Sequence, residues 1–348
     1  MAARTGLTKF AIVGGTLLAA LTLVRGDDVK TAQQPPGTPQ AGQPRVAIET
    51  RQPRPNTDAS GGDRRTPNIR VESTLVKINV TVTTPNNRVV TAMEKEHFRL
   101  FEDNVEQEIT SFTSEDAPLS VGLVFDISGS MSNKIHRARQ AAASFFRSAN
   151  PEDEFFLVQF NDKPELTIPF TTNTEEILNR MAFTQTKGRT ALLDGVYLAM
   201  NEMKKHARNP RKAILILSDG GDNSSRYTES EILNAVREAD VMIYAMGVFE
   251  TIGGRTAPEE ASGPGLLSDI AERTGGRHFP VENLNHLADV AVKIGLELRS
   301  QYMLGYTPTN TAKDGKYRRV QVKVVQPRGM RLPQLRAFFR QGYYAPTE

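Results

Sequence analysis

The stretch VGLVFDISGSMS, residues 121–132, joins an uninterrupted apolar run to a loop of oxygen donors. Val121–Phe125 has no polar face, so it reads as a strand covered on both sides, as in a parallel sheet. Asp126 ends the run. Gly129 lets the loop turn sharply, so that Asp126, Ser128 and Ser130 can point to one spot.

The surrounding chain repeats this grammar. Ala213–Leu217 and Val241–Val248 are further continuous apolar runs. Between the runs lie helical spacings: Ile135, Ala138, Ala142, Phe145; then Leu193, Val196, Met200, Met203; then Ile232, Leu233, Val236; then Leu284, Leu287, Ala291, Ile294. Phe155–Phe160 and Leu166–Phe170, split by Asn161-Asp162-Lys163-Pro164, read as an edge hairpin. Strand–helix alternation of this kind predicts an α/β fold with an open, doubly wound sheet. Ligands of such sheets sit beyond the carboxyl ends of the strands.

Two more loops leave that edge. Gly188–Asp194 reads GRTALLD, and Ser218–Asn223 reads SDGGDN after the run Ala213–Leu217. Two carboxylates and several hydroxyls, without sulfur or imidazole, form a hard-oxygen set suited to Mg²⁺, Mn²⁺ or Ca²⁺. The D-x-S-x-S loop, the downstream threonine and the aspartate after a buried strand resemble the metal-ion-dependent adhesion site of von Willebrand factor type A domains. The whole chain is similar to a group of exported bacterial proteins abundant in Acidobacteria. The resemblance implies a VWA/Rossmann-like fold and a metal site of Asp126, Ser128, Ser130, Thr190 and Asp219. Ser128, Ser130 and Thr190 would coordinate directly, the aspartates directly or through water. It further implies a position open to an Asp or Glu carboxylate of a protein partner. Arg189, where many relatives have a small residue, would set a cation beside the mouth. Arg189 and Asp222 are the candidate partner contacts.

Simpler readings exist for each residue. Asp126, Ser128 and Ser132 could cap a helix beginning near Asn133. Asp222 and Asn223 could cap a helix starting near Glu229 or hold the turn, and Asp194 suits the first turn of a helix. Residues 250–265, ETIGGRTAPEEASGPG, read as a Gly/Pro-rich loop at the metal edge. His278 and His286 read as ordinary surface or strand positions. An enzyme using Asp126 as a phosphoryl-accepting nucleophile would need a second acid two residues on, where Ser128 stands. The chain also contains no G-x-x-x-x-G-K-[ST], G-x-S-x-G or H-E-x-x-H.

The flanks are strand-rich. Val76, Ile78, Val80 and Val82 alternate with polar residues, and Phe98–Glu102, Gln107–Phe112, Gln301–Tyr306, Arg319–Val325 and Arg336–Arg340 read as strands. Neither flank has enough strands for a sandwich alone, so 69–116 and 301–348 are expected to pair as a small β-sandwich with the 117–300 domain inserted between them. The basic C-terminal residues Arg318, Arg319, Lys323, Arg328, Arg331, Arg336 and Arg340 read as a solvated face.

Residues 1–25 read as a signal peptide or N-terminal anchor: Arg4 and Lys9 precede the uncharged run 10–24. That run is the candidate membrane attachment, and export to the periplasm, envelope or exterior follows. Residues 26–68 read as a disordered Pro/Gln-rich linker. The 348-residue chain has no cysteine, which excludes disulfides, thiolate metal sites and cysteine nucleophiles. Its net charge of +3 is unevenly spread, with ten basic and five acidic residues in 1–70, 24 and 33 in 71–300, and nine and two in 301–348. The acidic middle argues against a nucleic-acid partner.

Overall fold

A computed structural model describes residues 75–114, 116–249, 258–325 and 334–347. The expected targeting segment and linker, with Arg328 and Arg331, lie outside the described residues. The first strands are β1 (Val76–Thr83), β2 (Phe98–Glu102), β3 (Val105–Gln107) and β4 (Ile109–Thr113). The middle of the chain forms β5 (Leu119–Asp126), α1 (Ile135–Phe146), β6 (Glu154–Phe160), β7 (Pro164–Thr171), α2 (Thr174–Ala182), α3 (Leu192–His206), β8 (Arg211–Ser218), α4 (Glu229–Glu238), β9 (Met242–Val248), α5 (Pro258–Arg273), β10 (His278–Val281) and α6 (Leu287–Arg299). The chain ends with β11 (Tyr302–Tyr306), β12 (Tyr317–Val324), β13 (Arg336–Phe339) and β14 (Gly342–Tyr344).

The central sheet has the order β10-β9-β8-β5-β6-β7 and is parallel except for β7. Every residue of β5 is buried. Its side chains alternate: Val121, Leu123 and Phe125 join a core with α1, α2 and α6, and Val124 joins a second core with α3, α4 and α5. Gly122 is needed here because a Cβ would lie 2.2 Å from the Phe156 ring. The chain leaves β5 toward β6 on one side, and β8 occupies the other side. Asp126 therefore ends the strand at the topological switch point, where a crevice opens between diverging connections. The doubly wound fold read from the sequence is the fold of the protein.

The flanking strands form two four-stranded antiparallel sheets, β13-β1-β11-β4 and β14-β12-β2-β3. Each mixes strands from before and after the α/β unit, so neither sheet exists without both ends of the chain. Their shared core holds Ile78, Val80, Val82, Phe98, Leu100, Tyr302, Leu304, Tyr306, Val320 and Val322. Buried Glu102 accepts from the hydroxyls of Tyr306 (2.7 Å) and Tyr343 (2.8 Å).

Several expectations need correction. The single strand read over Gln107–Phe112 is two strands in different sheets, β3 and β4. The buried Gln107 side chain pins this corner by accepting from Thr309 N–H at 3.0 Å and donating to Thr309 Oγ1 at 3.0 Å. Residues 258–265, read as loop, belong to α5, with Pro264 inside the helix. Helix α2 escaped the periodicity reading and is capped by Asn173, which accepts from the N–H groups of Glu175 and Glu176. Arg318 is buried against Asp314 at 2.8 Å rather than solvated, and half-buried Arg340 pairs with Asp240 at 3.1 Å. Arg319, Lys323 and Arg336 are exposed as expected. His278 lies on β10, and His286 ends the 3-10 turn before α6.

The α/β unit enters and leaves the sandwich at one place, away from the carboxyl edge. Arg299, at the end of α6, pairs with Asp116 just before β5 (3.2 Å) and with Asp153. A second tie is Arg277, whose guanidinium donates to Glu297 of α6 at 2.5 Å and to Asn87 at 2.8 Å. It lies 4.7 Å from the ring centroid of Phe279 and 4.4 Å from that of Phe338. Glu297 is fully buried, so removing its cation leaves an uncompensated charge. Arg277→Ala is expected to lower the unfolding free energy by about 3–5 kcal/mol, measured by urea denaturation; a loss within 0.5 kcal/mol, the typical size for a surface change, would show that the pair holds nothing together.

Candidate metal centre

The first loop is built around Asp126. The Ser128 N–H donates to Asp126 Oδ1 at 2.8 Å, and Ser218 Oγ donates to Asp126 Oδ2 at 2.6 Å. Ser218 itself accepts from the Gly220 N–H at 3.0 Å. Ser128 Oγ and Ser130 Oγ lie 3.0 Å apart. A 3-10 turn over Gly129–Met131 follows, and buried Met131 anchors it beneath the surface. Helix α1 then starts at Ile135 with no side-chain cap bond. The hydroxyls and carboxylate of the loop are thus not spent on capping α1. Ser132 Oγ donates instead to Gly129 O at 2.6 Å.

The second loop is bound to the first through its backbone. The Gly129 N–H donates to Gly188 O at 3.0 Å, and the Lys187 N–H donates to Ile127 O at 2.9 Å. A Cβ at Gly129 would lie 3.3 Å from that Gly188 oxygen, so the close approach suits glycine. Two residues on, buried Thr190 is held by Asn223. Its N–H donates to Asn223 Oδ1 at 2.9 Å, and its carbonyl accepts from Asn223 and Ser224 N–H at 3.0 Å each. Arg189 is exposed, its N–H bonded to Asp162 (2.8 Å) and its guanidinium to the Asn223 carbonyl.

The third loop carries Asp219, which is buried. Gly220 has φ +79°, and its Cβ position would lie 2.7 Å from the backbone of Gly263 in α5. Asp222 Oδ1 accepts from the Leu193 N–H (3.3 Å) and Ser225 Oγ (2.6 Å), so it serves the start of α3. The helix from Glu229 is capped by Thr228 in a capping box with Glu231. Asp194 sits in the first turn of α3, as expected, and also gathers the third loop by accepting from the N–H groups of Arg226 (2.9 Å) and Tyr227 (3.2 Å).

Sequence reasoning passed over one central residue. Lys134 is buried, and its Nζ lies 3.0 Å from Asp219 Oδ2. Its position was a signal: a lysine at the start of a helix opposes the helix dipole, so a buried one there needs a nearby anion. Asn223, read from the sequence as a helix cap or turn residue, and Ser218 are the other supports. They act by holding Thr190 and Asp126 in place.

The structure therefore gathers Asp126, Ser128, Ser130, Thr190 and Asp219 on three interlocked loops at one sheet edge. Asp219 Oδ1 is buried and accepts no hydrogen bond among the described residues. An unpaired buried carboxylate oxygen is costly, and a bound cation would satisfy it. No group of three or more His, Asp or Glu side chains placed to hold a metal ion occurs among the described residues. A cation held here would rest on two carboxylates and three hydroxyls, a donor set that fits a hard divalent ion and leaves part of its charge uncompensated.

Burial, and then the nearby charge of Asp219, push the Asp126 carboxyl up to about 7. Burial also raises Asp222. A carboxyl raised in the folded state contributes stability that is present below its unfolded value and is lost as pH rises through its folded one. In chelator, the wild-type protein should therefore lose about 3 kcal/mol relative to Asp126→Asn between pH 4.5 and pH 7.5. Urea unfolding of the two proteins at both pH values checks this, and a pH-independent difference would contradict it.

Residues 121–221 match the family model described as von Willebrand factor type A domain. An uncharacterized protein of Borreliella burgdorferi is 24% identical over 189 residues, covering 48% of this chain. The match spans 55% of that relative's length. Among solved structures, a von Willebrand factor type A protein from Catenulispora acidiphila is 12% identical, covers 80% of this chain and 75% of its own, and has a TM-score of 0.45. The vWF domain of the type V pili tip protein Mfa5 from Porphyromonas gingivalis is 15% identical, with 52% and 95% covered and a TM-score of 0.42. With its buried central strand and its three-loop edge, the inserted α/β unit of this chain is similar to von Willebrand factor type A domains, the family model matching residues 121–221.

Proposed function

We propose that this domain binds one divalent cation, Mg²⁺, Mn²⁺ or Ca²⁺, through Asp126, Ser128, Ser130, Thr190 and Asp219, and uses it to hold an Asp or Glu of a protein partner. The observation that carries the reading is the buried, unpaired Asp219 Oδ1 beside a loop whose hydroxyls are free of capping duty. The cation would supply a positive charge that a partner's carboxylate can meet. The chain's own residues would keep the carboxylates and hydroxyls in register and exclude water from Asp126.

The surface beside the site suits an acidic partner. A groove of about 360 Å³ runs past Ile127 and is lined by Lys163, Arg180, Phe183 and Lys187, with Glu165 as its acid. Those three cations form no ion pair among the described residues, and Phe183 is 87% exposed. Exposed Arg189 adds a further positive charge.

The role is adhesion-type and non-catalytic, in the cell envelope or outside the cell, in keeping with the apolar run 10–24 and the likeness to exported proteins. An assembly or scaffold factor using the same site is the alternative. A phosphatase-like reading is weakened by Asp126 itself: both its oxygens already accept hydrogen bonds, and the side chain is fully buried.

Ser130 gives the cleanest test. Alanine at Asp126 or Asp219 would also strip partners from Ser128, Ser218 and Lys134. Ser130 is half-exposed and touches Ser128 Oγ. Ser130→Ala is expected to weaken Mn²⁺ or Mg²⁺ uptake by about tenfold or more in calorimetry, with unfolding unchanged in chelator. Capture of envelope proteins by the full chain should disappear with EDTA. Absence of divalent-ion uptake by the wild-type protein would end this reading.

A further inference from the structure

We propose that Lys134 is a built-in counter-cation of the Asp126–Asp219 pair, lowering the site's affinity for a divalent ion and reserving the ion's charge for an outside anion. The inference rests on the metal reading above and deepens it by assigning what sets the balance between the two ligands.

The position of Lys134 is physically expensive. Its side chain is 6% exposed, and its ammonium has Asp219 Oδ2, at 3.0 Å, as its ion-pair partner. An ammonium withdrawn from water is costly unless paired. It also precedes the first residue of α1, at the positive end of the helix dipole. Two unfavourable terms at one residue require a compensating anion, and Asp219 supplies it. Asp219 then has one oxygen on the lysine and the other buried without a partner among the described residues. This division leaves the unpaired Oδ1 for a cation while Oδ2 remains tied, so Lys134 also fixes the carboxylate's orientation. Hydrogen bonding that orients a ligating carboxylate tunes a metal site's affinity by about tenfold to a hundredfold.

Charge accounting gives the consequence. Ionised Asp126 and Asp219 bring two negative charges, and Lys134 returns one positive charge. A divalent ion would then leave the cluster with a net charge of +1. Without the lysine the same cluster would be neutral. A neighbouring positive charge repels the incoming ion and attracts an incoming carboxylate. At separations of about 6 Å, even with bulk-water screening, a single and a double charge interact strongly enough to shift affinity by about tenfold. Lys134 is thus a specificity-determining residue: it weakens metal retention and favours anionic partners over water on the loaded site. Arg189, by contrast, is exposed and spends its guanidinium on the Asn223 carbonyl.

The test compares wild-type protein with Lys134→Met and Lys134→Gln. Met fills the buried stem's volume without charge, and Gln keeps a donor for Asp219 in case the apolar variant fails to fold. Circular dichroism checks both folds. Calorimetric titration with Mn²⁺ is expected to show about tenfold or tighter binding in the neutral variants. Acetate, a probe of the partner carboxylate, is then titrated into Mn²⁺-loaded protein and followed by water-proton relaxation. It should bind the variants about tenfold more weakly than wild type. Equal or weaker Mn²⁺ binding in the neutral variants, with uptake still weakened in Ser130→Ala, overturns the inference and leaves the metal reading standing. Acetate held equally by variants and wild type overturns the reserved charge. No Mn²⁺ uptake by any of the proteins overturns both.

Discussion

A carboxylate taken out of water at the end of a central parallel strand is the constraint around which the protein is arranged. Asp126 closes β5, the strand with neighbours on both sides and helices on both faces. Its two oxygens need donors, and the nearest sources are the turn that follows and the end of β8. Satisfying them brings Ser128 and Ser218 inward, and with Ser218 comes Asp219. Burial, and after it the second carboxylate, raise the first, and Lys134 enters to offset the second. Each step follows from the one before by the cost of burying charge without a partner.

The same logic organises the opposite end of the domain. An inserted unit must return the chain close to where it left, or the host sheets cannot close. Here the return is held by charge: Arg299 on Asp116 and Asp153, and Arg277 on Glu297 and Asn87. The sandwich strands on either side then pair across a separation of some two hundred residues, as in Val80 opposite Tyr302. The carboxyl edge stays free of the sandwich strands. One edge serves attachment and the other recognition.

The loops that carry the site are held by backbone hydrogen bonds between loops rather than by their own secondary structure. Gly129 to Gly188, Lys187 to Ile127, and Thr190 to Asn223 tie three segments into one surface. These bonds spend main-chain groups and leave the hydroxyls of Ser128, Ser130 and Thr190 for other uses. That economy makes a hydroxyl-rich cation site compatible with a stable loop cluster.

Much of this was legible from residue order. Uniform burial of β5, β8 and β9 shows as apolar runs, because a strand covered on both faces tolerates few polar side chains. The five site residues show as short spacings, because a sharp turn after a strand end must present side chains within a few residues. The flanking strands show by alternation, though the corner at Glu108 does not, since a strand that changes sheets keeps its period. Helices α2 and α5 were missed because a cap and a Pro/Gly-rich start obscure the periodicity. What the tertiary structure alone decided is the pairing of polar groups apart in the chain: the charges of Lys134 with Asp219 and Arg277 with Glu297, and Asp222 with the backbone at the start of α3. A residue's type announces that it carries a charge, but which opposite charge lies within 3 Å depends on how buried elements close over one another.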